Sequence, residues 1–241
     1  SDGLDVAIKI LDGKKFQKND SFEWDFLSNQ KNLIRELNIL ANINHPFCLQ
    51  LVNFNLSPDP TIITPYMPNG NLFKLISDKN PELATRKICS IYAICSTMDF
   101  LHSIGIIHRD IKPQNIFINE NNDICIADFG TSRKVEENIH LTQEKIGTPA
   151  YMAPELVNCD EYSNKVDVYS FGVIYYQFFL MSNKFRLNDK KTAPQGPNAF
   201  MCRIARGVRY IRPSNMNDNQ WKVYTDCTNG EADERPSFKE L

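Results

Sequence analysis

The chain has 241 residues, 42% hydrophobic and 23% charged, with a formal net charge of −2. This is the makeup of a soluble globular protein of one large domain or two small lobes, and its charge balance gives no electrostatic case for nucleic acid or an anionic membrane. Seven cysteines, an odd number with no C-x-x-C pair, argue against a disulfide framework and for a reduced, intracellular and cytoplasmic setting, with each thiol a small buried hydrophobe.

Both ends read as cut, so the expectation is a domain from a longer, multidomain protein. Residues 6–11 alternate and are β-branched, which predicts a strand carrying Lys9. Leu33, Ile34, Leu37, Leu40 and Ile43 recur at helical spacing around Glu36, and Asn44-His45-Pro46-Phe47 stops that helix. Strands are expected over 48–55 and 61–64, on either side of Ser57-Pro58-Asp59-Pro60. The stretch from Thr64 to Leu72 holds Pro65, Pro68, Asn69 and Gly70 and reads as a crossing segment. A helix is predicted over 84–102, closed by Gly105.

Next comes His108-Arg109-Asp110-Ile111-Lys112-Pro113-Gln114-Asn115, then Ile116-Phe117-Ile118 and, further on, Asp128-Phe129-Gly130. A single triplet from this set would fit a surface turn with accidental charges; the whole series does not. Its chemistry is that of phosphoryl transfer. Asp110 can accept the proton of an attacking hydroxyl, Lys112 can neutralise a moving phosphoryl group, and Asn115 and Asp128 are hard oxygen ligands suited to Mg²⁺. The loop over 131–150 is polar and leads into Gly147-Thr148-Pro149-Ala150-Tyr151-Met152-Ala153-Pro154-Glu155. The apolar run over 168–181 contains Ser170, Gly172 and Gln177. It is shorter than the roughly 20 residues a membrane helix needs, so it reads as a core helix. No repeat, leader or membrane segment is evident. An apolar-periodic helix is expected to start over 235–241.

Over residues 6–241 these motifs resemble a eukaryotic-type protein kinase catalytic domain of the serine/threonine type, most like the tyrosine-kinase-like group. The resemblance implies an α+β, two-lobed fold. It has a small antiparallel-sheet lobe with one helix over 1–64, a hinge over 65–71 and a larger, mainly helical lobe over 72–241. ATP and Mg²⁺ would lie between the lobes, and the other partner would be a protein offering Ser or Thr.

By the same resemblance Lys9 grips the ATP phosphates and pairs with Glu36, with Glu23 as the alternative. Ala7 and Phe117 enclose the adenine, Thr64 stands behind it, and the backbone at Pro65 and Met67 meets its edge. Pro65 has no N–H to donate. Asp110 and Lys112 are catalytic, and Asn115 and Asp128 hold the metal. Leu40, Leu51, His108 and Phe129 stack between the lobes, Arg109 receives an activation-loop phosphate, and Thr142 is the first choice for that phosphate. Thr148 contacts Asp110 and Lys112. Glu155 pairs with Arg235, and Asp167 holds the catalytic loop; His102 and His108 are structural. Lysine two residues after Asp110 points to serine and threonine as acceptors.

The glycine-rich loop expected upstream of Lys9 does not occur in this stretch, where only Gly3 precedes it. That departure keeps a non-catalytic, pseudokinase scaffold as the alternative. A small-molecule phosphotransferase ranks last, because it would not need the segment over 147–155.

Overall fold

The computed structural model describes residues 5–10, 22–56, 60–135, 147–185, 187–188 and 196–241, with the backbone alone over 22–30. The expected two-lobed α+β arrangement is present. In the small lobe β1 (Val6–Ile10) leads to α1 (Phe22–Leu40), then to β2 (Asn53–Asn55) and β3 (Thr61–Pro65). The sheet is antiparallel with order β1-β3-β2, and its register sets Ala7 opposite Thr64 and Lys9 opposite Ile62. On α1 the buried positions Leu33, Glu36, Leu37 and Leu40 fall three or four apart, the spacing of one helix face. A carboxylate in that apolar stripe needs a partner.

The strand expected over 48–55 is only partly realised. Asn53–Asn55 pairs with β3, and Val52 N–H donates to the Ile63 carbonyl of β3 at 2.9 Å. Upstream, Leu49 N–H donates to the Ile126 carbonyl at 2.9 Å and Ile126 N–H to the Phe47 carbonyl at 2.8 Å. The first half of the segment therefore bonds to the large lobe. Crossing between lobes overrides the strand propensity of Cys48 to Leu51.

The large lobe opens with α2 (Leu72–Ser77), capped by Asn71, whose side chain accepts from Lys74 N–H. Then α3 (Pro81–Ser103) begins three residues before the expected Ala84, with Asn80 as its cap and Pro81 in its first turn. Short strands follow: β4 (Ile106–Ile107), β5 (Ile116–Ile118), β6 (Ile124–Ile126) and β7 (Arg133–Lys134), paired β4-β7 and β5-β6. α4 (Pro154–Asn158), α5 (Lys165–Leu180), α6 (Pro197–Ala205) and α7 (Asp218–Cys227) complete the lobe. The predicted 168–181 helix starts earlier, at Lys165, and every residue from Val166 to Phe179 is buried. Among the described residues no helix is long and apolar enough to cross a membrane. All seven cysteines are free, but Cys89, Cys159 and Cys202 are exposed, which corrects the expectation of burial for those three. The last residues form a single turn in place of the expected helix. There the Ser237 N–H and hydroxyl both bond Glu240 at 2.7 Å.

Gly172 of α5 packs directly against the end of α7. A Cβ there would sit 2.7 Å from Cys227 Cβ and 2.9 Å from Thr228 Cγ2. Gly172→Ala is expected to cost about 1–3 kcal/mol, because the overpacked pair must spread. Urea denaturation reads this directly, and an unchanged midpoint would show that α7 yields freely.

Candidate active site

Asp167, in the first turn of α5, is fully buried and is the anchor of the site. Its Oδ2 accepts from His108 N–H at 2.9 Å and lies 2.9 Å from His102 Nε2, while Oδ1 accepts from Arg109 N–H at 2.8 Å. Burial alone would push its carboxyl up. The bonds from His102 and the His108 backbone win and hold it below the ordinary carboxylate value. Its side chain does not cap α5; Asn164 occupies that position. His108 is itself buried, with Nε2 3.1 Å from the Ala127 carbonyl and Nδ1 accepting weakly from Asp110 N–H at 3.4 Å. Both histidines are thus engaged in holding the loop.

The loop presents Asp110 and Lys112 side by side. Lys112 Nζ is 2.5 Å from Asp110 Oδ2 and 2.8 Å from Thr148 Oγ1, and the Thr148 hydroxyl donates to Asp110 Oδ1 at 3.0 Å. Asn115 commits its NH₂ to the Asp110 carbonyl at 2.9 Å, which leaves the amide oxygen as the end able to ligate a cation. Asp128 takes a left-handed backbone, φ 65°, as does Arg109, φ 68°. Such conformations in non-glycine residues gather at functional sites.

Across the cleft Lys9 Nζ lies 2.5 Å from Glu36 Oε2 and 3.4 Å from Asp128 Oδ1. Burial opposes the ammonium, but Glu36 and Asp128 outweigh it and hold its pKa above the ordinary lysine value. Glu36 is far less exposed than its partner, 6% against 54% for the side chains. Burial pushes its carboxyl up against the pull of Lys9. Of the adenine candidates, Ala7 and Thr64 face each other across β1 and β3, and Pro65 faces Val6. Met67 follows in a turn where its carbonyl accepts from Gly70 N–H at 3.2 Å. Phe117 sits in β5, bridged to Asn71.

Leu40 is buried, Leu51 packs half-buried against the core, and the His108 and Phe129 rings meet at 5.2 Å. Arg109 binds the Thr131 carbonyl through Nε at 2.6 Å and the Tyr162 hydroxyl at 2.9 Å; burial lowers its pKa. Glu155 and Arg235 form a two-pronged pair at 2.7 and 2.9 Å. Glu23 falls where only the backbone is described, and Thr142 lies outside the described residues. Sequence reasoning missed Tyr162, which carries no motif, and the buried Gln177, which accepts from the Tyr151 hydroxyl at 2.9 Å and donates to Asn183 at 3.0 Å. A glutamine inside an apolar helix was the available signal for the second.

Known proteins resemble the chain along its whole length. The protein kinase domain family matches residues 1–241. A Dictyostelium discoideum protein named "probable serine/threonine-protein kinase" is 30% identical over 246 residues, covering 99% of this chain and 17% of that protein. The serine/threonine-protein kinase CTR1 of Arabidopsis thaliana is 30% identical over 244 residues, covering 98% of this chain and 28% of its own length. The dual specificity protein kinase pyk3 of Dictyostelium discoideum is 31% identical over 240 residues, covering 99% and 16%. The chain thus spans well under a third of the length of each of these three relatives. With a family match from end to end, the chain belongs to the protein kinase domain family.

Proposed function

We propose that this domain transfers the γ-phosphoryl group of ATP to serine and threonine hydroxyls of a protein substrate in a cytoplasmic signalling setting. The observation that carries the reading is Lys9, held between Glu36 on α1 and Asp128 on the other lobe at 2.5 and 3.4 Å. A cation fixed by two carboxylates of different lobes is placed for a nucleotide's phosphates. Asp110 is the base for the acceptor hydroxyl, and Lys112 stabilises the transferring group. Thr148 ties these two to the segment that docks substrate. Asn115 and Asp128 supply an amide and a carboxylate oxygen, a donor set that fits Mg²⁺, which keeps water and phosphate oxygens in its remaining positions. When bound, Mg²⁺ would neutralise phosphate charge.

Ala7, Thr64, Pro65, Met67 and Phe117 form the adenine site in this reading. The division into a small lobe over 1–64, a crossing over 65–71 and a large lobe over 72–241 is supported by β3 ending at Pro65 and α2 opening at Leu72. Likeness to serine/threonine kinases, with Lys112 two residues after Asp110, favours hydroxyls of serine and threonine. The tyrosine-kinase-like grouping belongs to the same reading.

The test is transfer of labelled γ-phosphate to a serine- and threonine-containing protein acceptor, followed by phosphoamino acid analysis. Lys9→Met should lower that rate at least about tenfold, a 1.4 kcal/mol loss of transition-state stabilisation. Its stability should fall as well, because the buried Glu36 is left without its cation, so the rate is read at equal amounts of folded protein. Full transfer by this variant would move the phosphate grip elsewhere.

A further inference from the structure

A cavity of about 690 Å³ lies behind α1, away from Lys9 and Asp110. One wall is a stripe of α1 at helical spacing, Lys31, Ile34, Arg35 and Asn38. The other is Ile104, beyond α3, with Arg133 and Lys134 of β7. Among the described residues four cations line it, Lys31, Arg35, Arg133 and Lys134, and no carboxylate does, in a chain whose net charge is −2. Arg35 also donates to the Gly130 carbonyl at 3.0 Å, so the cationic wall is tied to the Asp-Phe-Gly turn. On the rim Ile34 and Ile104 are each 44% exposed. The groove therefore offers positive charge and apolar surface together.

We propose that this groove docks an acidic, amphipathic peptide segment of a partner protein. Charge complementarity selects glutamate or aspartate, and the two isoleucines select large aliphatic residues beside them. A free polyanion would use the cations and leave Ile34 and Ile104 in water. The volume falls within the range that takes a drug-sized ligand, which suits a few side chains of a segment. An occupant would touch both α1, which carries Glu36, and the strand that follows Asp128-Phe129-Gly130.

The experiment follows the fluorescence anisotropy of a fluorescein-labelled amphipathic peptide of leucine and glutamate mixed with nucleotide-free protein. No phosphoryl transfer is read, so the outcome is independent of the proposed activity. Binding is expected to weaken as salt rises and to fall about tenfold or more in the Lys31→Glu, Lys134→Glu double variant. Ile34→Ser should weaken it as well, with Ile104→Ser as a second variant on the opposite lip. These side chains lie outside the core, and circular dichroism checks that each variant is folded. The proposal is overturned if the peptide does not bind, or if the charge-reversed protein binds it as well as the parent. It is equally overturned if the isoleucine variants are indistinguishable from the parent while inositol hexakisphosphate displaces the peptide; the groove would then be a simple anion site.

Discussion

Asp110→Asn is expected to reduce phosphoryl transfer by roughly 10²–10⁴-fold, the usual contribution of a positioned general base, while leaving nucleotide affinity close to that of the parent. The substitution keeps the shape and removes the proton acceptor. It also takes the negative partner from Lys112, 2.5 Å away, and alters the bond from Thr148 at 3.0 Å. None of these contacts involves Lys9, Asn115 Oδ1 or the adenine candidates. A single-turnover assay beside a fluorescent-nucleotide titration separates the two effects. A rate within a few-fold of the parent would assign the base role to another group.

The second large effect concerns stability. Arg235→Met is expected to cost about 3–5 kcal/mol, because it leaves the mostly buried Glu155 carboxylate without its counter-charge. The Arg235 side chain is fully buried, binds Glu155 twice, and also donates to the Asn229 carbonyl at 2.9 Å and the Lys165 carbonyl at 3.0 Å. Its guanidinium lies 5.1 Å from the Tyr169 ring centre. Methionine keeps most of the volume, so the loss reports the charge and its bonds. Urea denaturation measures it, and the double variant with Glu155→Gln should regain part of the deficit. A single variant within about 0.5 kcal/mol of the parent, the range of ordinary surface substitutions, would mean that water reaches Glu155 when its partner is gone.

The groups at the heart of the site were readable because each lies in a short motif whose spacing is fixed by chemistry. One loop carries carboxylate, lysine and amide together, from Asp110 to Asn115. Glu36 was readable as a lone acid inside an apolar helical stripe, where burial demands a cation. The misread parts obey longer-range rules. The residues from Cys48 to Leu51 have strand propensity, but the Phe47 carbonyl and Leu49 N–H are taken by Ile126 of the other lobe. No local pattern announces that exchange. The early starts of α3 and α5 have different causes. Asn80-Pro81 is a cap followed by proline and could have been recognised. The first turn of α5, from Lys165, is set by tertiary contacts, since Lys165 is bound up with Arg235 far along the chain. Tyr162 became legible only when the fold brought it to Arg109.

Asp167 gathers the backbone of the catalytic loop into the same buried helix that forms the centre of the large lobe. The amide protons of His108 and Arg109 are therefore sealed by a carboxylate that water cannot reach without opening that helix. Their exchange with solvent deuterium should keep the slow clock of the lobe's cooperative unfolding. Chemistry at the tip of the loop thus rests on a base that does not flicker.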